Sequence, residues 1–362
     1  MSNILDYIAW RGDLPFSVVP VNEVDGLILA QLSMLRWENG LEPGQSAKIS
    51  ALYDAMNRPP VSVGFTPEND MRLLYEASHC VRFGEIVVRD YSQVFDENTG
   101  MQFAAVTFCL DDGTAYVSFR GTDCSLVGWK EDCDMAFSTP VPSQIAAWKY
   151  LEAAAGRVKG TLRVGGHSKG GNLAMYAAAN APEAIRARIA AVYSNDGPGL
   201  SDRMNARRLY ENIVDRLHSF VPQDSIVGMM LAHPDRFTVI KSNSTGIMQH
   251  DPYSWQVKGP AFERMPALSQ DSARFDAAFH KWLGEVNEDD RKVLIDSLFD
   301  VLSAAKSANF GLEFWHGLLH NPVSVLAAIK DISAENRKRI TRMITDFGAA
   351  MLNPGENEHD GQ

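Results

Sequence analysis

The sequence predicts an α/β fold built on a mostly parallel central sheet, and three observations carry that reading. Runs rich in Val, Phe and Tyr begin near residue 85 and then alternate with helical stretches. A glycine-rich turn, Gly165-Gly166-His167-Ser168-Lys169-Gly170-Gly171, joins an apolar strand to a small-residue helix. Past about residue 260 the strand signal gives way to helical periodicity. Strands interleaved with helices imply parallel βαβ units with right-handed crossovers.

Length and composition agree. With 362 residues, 45% hydrophobic and 22% charged, the chain can bury a large core and lacks the polar signature of disorder. Its 34 Lys plus Arg against 45 Asp plus Glu leave a formal charge of −11, which repels phosphate backbones, so no nucleic-acid partner is expected. The opening residues carry Asp6 rather than a basic leader region, and no run approaches the roughly 18 apolar residues of a membrane span. A cytoplasmic protein with no transmembrane segment is therefore expected. Cys80, Cys109, Cys124 and Cys133 form no CxxC pair and read as reduced thiols rather than zinc ligands or disulfides.

Along the chain, Val24, Leu27, Ile28, Leu32 and Leu35 form one apolar helical stripe, ended by Gly40, Pro43 and Gly44. Thr66-Pro67 opens a second helix through Met71, Leu74 and Tyr75. Residues 85–91, 102–110 and 115–119 read as a β-meander with a turn at Asp111-Asp112-Gly113. After it come a helix at 145–155, a strand at 162–164, a helix at 171–179, and strands at 189–193, 216–221 and 237–241. The expected organisation is an α/β core with an N-terminal helical segment over residues 1–260, then a helical appendage or cap over 261–362. Two stripes support the appendage: Leu294, Leu298, Val301, Leu302 and Ala305, then Ile340, Met343, Ile344, Phe347 and Met351. Residues 353–362 are polar and expected to fray.

The glycine-rich turn carries the chemistry. A serine nucleophile raised on a strand-to-helix elbow needs the residues two before and two after it to lack side chains, because the backbone passes within contact distance there. Gly166 and Gly170 meet that need around Ser168, and Gly171 and Ala174 let the helix approach the sheet. The spacing of a phosphate-binding P-loop, ending in Gly-Lys-Ser/Thr, is absent.

A serine hydroxyl is a weak nucleophile until a base takes its proton, so an acid and then a histidine are sought downstream. Asp196, Asp202, Asp215, Asp224, Asp235 and Asp251 all follow Ser168. Asp224 is favoured because Val221-Pro222-Gln223-Asp224-Ser225 lies just past a predicted strand, in a loop at the sheet's C-terminal edge. Asp196, in Asn195-Asp196-Gly197-Pro198, also follows a strand and otherwise reads as a turn residue. His250 is favoured as base because it stands in a loop past the last strand, whereas His218 sits inside a strand pattern and His233 precedes Pro234. Donors for the developing oxyanion are the backbone N–H of Lys169, at the positive end of the following helix, and that of Thr122, where Gly121 lets the chain turn toward the site. The Lys169 side chain is either solvated or attracts an anionic substrate group, and His167 packs or hydrogen-bonds rather than catalyses.

These motifs resemble those of α/β hydrolases related to class 3, fungal-type lipases, and most of all a bacterial family of lipase-like hydrolases, over residues 65–257. The resemblance implies an α/β-hydrolase fold and lipase or esterase activity. It also implies roles for matching positions: a strand, proline and Asp-x-Val arrangement around Asp224, a histidine before Tyr253-Ser254-Trp255 at His250, and a Phe-Arg-Gly-Thr oxyanion segment ending at Thr122. Lipases of that class usually place Leu where this chain has Lys169, and carry a lid where it has the acidic segment Trp129-Lys130-Glu131-Asp132-Cys133-Asp134. That segment reads first as a crossover and second as a gate.

The expected function is a serine hydrolase of carboxylic esters, small or lipid, such as a monoacylglycerol or lysophospholipid, working through an acyl-enzyme on Ser168 with Asp224 and His250. No metal or organic cofactor is called for, and Asp132 and Asp134 have no histidine or third carboxylate near them in sequence. Met229, Met230 and Met248 either line an acyl channel or pack in the core. The alternative is a catalytically silent α/β-hydrolase scaffold that binds a ligand or protein partner. Oligomeric state is left open.

Overall fold

The computed structural model describes residues 2–352 except 59, 124, 136–138, 202–205, 235, 288, 291–292, 294–295 and 297–333. Cys124, Asp202, Asp235, the stripe that starts at Leu294 and the tail 353–362 lie outside the described residues.

One sheet holds β1 (Ser46–Lys48), β2 (Val87–Asp96), β3 (Met101–Cys109), β4 (Ala115–Phe119), β5 (Leu162–His167), β6 (Ile189–Asn195), β7 (Leu217–Pro222) and β8 (Thr238–Ile240), in sequential order. Neighbours from β1 to β4 run antiparallel and those from β4 to β8 parallel. This is the mostly parallel α/β arrangement that the alternation of strands and helices predicts, and it agrees with the α/β-hydrolase fold that the resemblance implies. The short β1 has no counterpart among the sequence expectations.

Helices cover both faces. On the N-terminal side are α1 (Ile4–Arg11), α2 (Glu23–Leu32), α3 (Ile49–Met56), α4 (Pro67–Ser78) and α5 (Val81–Gly84). Then come α6 (Leu126–Asp134), α7 (Pro142–Arg157), α8 (Lys169–Asn180), α9 (Glu183–Arg186), α10 (Ala206–Glu211), α11 (Gln270–Glu285) and α12 (Ala334–Leu352). Strand periodicity sorts β4 between the two layers. Tyr116 Oη and Ser118 Oγ each donate a 3.0 Å hydrogen bond into α2, to the carbonyls of Gly26 and Leu29. Ala115, Val117 and Phe119 instead pack with Leu151 of α7 and Leu173 of α8.

The N-terminal helices are fastened by a buried ion pair, Arg82 Nη2 to Asp25 Oδ2 at 2.6 Å. Arg82 Nε also donates to Asp25 Oδ1 at 2.8 Å, and Nη1 and Nη2 donate to the carbonyls of Leu14, Val19 and Pro20, so little of this buried charge is left unpaired. At the other end, Phe275 and Phe279 of α11 pack on Val221, Met229 and Val239, and Trp282 Nε1 donates to Met343 O of α12 at 3.0 Å. Among the described residues no helix is long and apolar enough to cross a membrane. Cys80, Cys109 and Cys133 are free thiols.

Candidate active site

β5 ends at His167 and α8 begins at Lys169, which leaves Ser168 in the turn at φ 57° and ψ −132°. A residue with a side chain is rarely found at such a positive φ, so the surroundings must hold it there. Ser168 N–H donates to Asn195 O at 3.0 Å, and Asn195 Nδ2 donates to Gly166 O at 3.1 Å, tying the elbow to the end of β6. The glycines are needed for space. A Cβ on Gly166 would lie 2.3 Å from the carbonyl carbon of Gly170, and one on Gly170 would lie 2.1 Å from Phe119 O.

A small open cavity lies at the elbow. Ser168, His250, Thr122 and Asp251 contribute polar lining, while Met34, Phe65 and Pro252 give it apolar walls. Met229 lies in the core beneath α11, and neither it nor Met230 or Met248 lines this cavity. The segment at Gly121 and Thr122 runs beside Ser168, since a Cβ on Gly121 would lie 3.6 Å from Ser168 Cβ.

His250 is buried, and its Nδ1 lies 2.6 Å from Asp196 Oδ2. Asp196 follows β6, at φ 48°, and its other oxygen accepts from Ser225 Oγ at 2.5 Å and Gly228 N–H at 3.1 Å. With its partners on both oxygens, the carboxylate is fixed to accept the Nδ1 proton, which turns Nε2 into the free basic nitrogen. His167 reinforces this placement by donating from Nε2 to His250 O at 2.9 Å. Burial pushes the His167 pKa well below the usual range, so His167 is a neutral donor.

The acid expected from sequence is corrected here. Asp224 does not meet His250: its Oδ2 accepts from Gln249 Nε2 at 2.7 Å and Gly246 N–H at 3.2 Å, and its own N–H donates to Gln249 Oε1 at 2.9 Å. It braces the loop that carries His250. The reason is strand order: β6 lies directly beside β5, whereas Asp224 follows β7, one strand farther from the elbow. Asp-Gly-Pro at the end of the strand adjoining a nucleophile elbow is the signal that points to Asp196.

Lys169 also departs from both readings of its side chain. It is neither solvated nor open to a substrate anion, for the side chain is 1% exposed and Nζ donates to Glu131 Oε2 at 2.6 Å, Gln102 O at 2.8 Å and Gln102 Oε1 at 3.1 Å. Glu131 in turn accepts from the N–H groups of Gln102 and Ser143. Next to it, Asp132 accepts from the Thr122 hydroxyl, and burial pushes the Asp132 carboxyl up to about 6. The acidic segment is thus the helix α6, anchored to the elbow by its acids rather than presenting them as metal ligands. His218 stacks on Tyr193 with centroids 5.1 Å apart, and His233 lies near α11, 3.3 Å from Asp276.

Comparison with known proteins gives the following. A family model described as Mbeg1-like matches residues 77–300. No curated protein matches. Among solved structures, the chain is similar to the native lipase–propeptide complex of Rhizomucor miehei, at 17% identity and a TM-score of 0.33, over 46% of this chain and 60% of that one. It is also similar to a mutant form of MDLA from Penicillium cyclopium, at 14% identity and a TM-score of 0.39, over 66% of this chain and 82% of that one.

Proposed function

Since the chain belongs to the Mbeg1-like family, we propose that it is a serine hydrolase of carboxylic esters, with Ser168 as nucleophile, His250 as base and Asp196 as the acid that orients it. The observation that carries this reading is the 2.6 Å contact of His250 Nδ1 with Asp196, made at the cavity that Ser168 also lines. In the first half-reaction Ser168 Oγ attacks the acyl carbonyl while His250 Nε2 takes its proton, then passes it to the leaving alcohol. A water activated by the same nitrogen releases the acid. Asp196 stabilises the imidazolium that forms in each step.

The backbone N–H groups of Thr122 and Lys169 serve as the oxyanion donors, each worth about 3–4 kcal/mol of barrier. The buried Lys169–Glu131 pair, with Asp132 on the Thr122 hydroxyl, supports both donor segments. Apolar walls at Met34, Phe65 and Pro252 suit an acyl chain, which favours a lipid-like ester such as a monoacylglycerol or lysophospholipid. No step calls for a metal or an organic cofactor.

A series of p-nitrophenyl esters of graded acyl length tests this. Wild type is expected to hydrolyse the series with a preference for one chain-length range, and Ser168→Ala to lose at least about 10³-fold in kcat. Equal rates for wild type and the variant would assign the protein to the silent-scaffold alternative.

A further inference from the structure

A second cluster of chemically able side chains lies outside the cavity, where α11 meets the loop leading to β8. His233 Nε2, Asp276 Oδ1 and His280 Nδ1 lie within 4.8 Å of one another. Asp276 Oδ1 stands 3.3 Å from His233 Nε2 and 2.9 Å from His280 Nδ1. We propose that these three side chains bind one divalent transition-metal ion, of which Zn²⁺ is the type, as a structural site clamping α11 to the core.

The spacing fits. A tetrahedral ion with bonds of about 2.0–2.1 Å holds its ligand atoms roughly 3.3 Å apart, so small movements of these side chains would admit it. Ligand chemistry fits too, since two imidazoles and one carboxylate favour zinc and its neighbours over Ca²⁺ or Mg²⁺. His280 Nε2 lies 2.6 Å from Leu231 O and Nδ1 2.9 Å from Asp276 O, so both nitrogens face carbonyl acceptors; taking up an ion requires Nδ1 to give up its proton and turn its lone pair to the metal while Nε2–H keeps its bond to Leu231 O. Phe237 lies edge-on to His233, which shields one side, while His280 is 34% exposed and leaves room for a water ligand.

Sequence spacing gave no hint, because His233 stands 43 residues before Asp276.

The site also has structural reach. The same loop region supplies Ser225 Oγ and Gly228 N–H to Asp196, and Ser272 Oγ of α11 donates to Ser225 O at 2.5 Å. A metal here would hold α11 against the segment that fixes the acid.

The test uses the full chain without a histidine tag, stripped with a chelator and titrated with Zn²⁺, and with Co²⁺ as a visible-absorbing substitute. Wild type is expected to bind one equivalent with a rise in Tm and to give d–d bands of a tetrahedral nitrogen–oxygen site. His233→Ala and Asp276→Asn are expected to weaken binding at least tenfold, while His250→Ala binds as wild type. Absence of binding by wild type, or a Co²⁺ spectrum unaltered in His233→Ala but lost in His250→Ala, would overturn the proposal. If the His233 and Asp276 variants fail to fold, the wild-type stoichiometry and spectrum still decide.

Discussion

Lys169 Nζ and Glu131 Oε2 lie 2.6 Å apart with both side chains 1% exposed, so the residue that follows Ser168 carries an ion pair inside the protein. Removing one member of such a pair leaves a buried charge without its partner, which costs about 3–5 kcal/mol. Lys169→Met is therefore expected to lower stability by that amount in urea unfolding, and Glu131→Gln by a similar amount. The double variant is expected to recover part of the loss. Additive losses in the double variant would show that the two side chains do not act as a pair.

The roles of Asp196 and Asp224 separate by kinetics. Asp196→Asn leaves the shape of the site but presents the wrong hydrogen-bond partner to His250 Nδ1, and a loss on the order of 10⁴ in kcat is expected. Asp224→Asn keeps an acceptor for Gln249 Nε2, so activity is expected to stay within roughly tenfold of wild type. Initial rates on one chromogenic ester distinguish them, and the opposite ranking would return the acid's role to Asp224.

Asp132 gives the fold a pH dependence of definite sign. Its carboxyl is raised to about 6 by burial, above the 3.8 it has when unfolded. Between those values the folded state holds a proton that the unfolded chain releases, so this group lowers stability as pH rises from about 4 to about 6. The full effect is about 3 kcal/mol at most, at 1.36 kcal/mol per unit. Urea titrations at a series of pH values are expected to show Asp132→Asn gaining on wild type through that window and holding its gain above it. A constant difference across the window would mean that Asp132 is ionised throughout.

Much of this was readable in the sequence because the relevant signals are local. A run of strand-favouring residues after the Asp111-Asp112-Gly113 turn marks β4 at 115–119, where the strand is found, and glycine at 166 answers a contact with Gly170 four residues on. The acid was not readable in the same way. Asn195-Asp196-Gly197-Pro198 has the composition of an ordinary turn, and only the adjacency of β6 to β5 brings it to His250. Lys169 looked like a helix-start residue because its partners, Gln102 and Glu131, arrive from β3 and α6. Strand β1 is three residues long, too short to show a period.

The most direct measurement is covalent labelling with a fluorophosphonate, read by intact mass and peptide mapping. One adduct per chain, mapped to Ser168, absent in Ser168→Ala and slowed strongly in Asp196→Asn but little in Asp224→Asn, is the expected result. An unlabelled but folded wild-type protein, or an adduct on another serine, would contradict the assignment of Ser168 as an activated nucleophile.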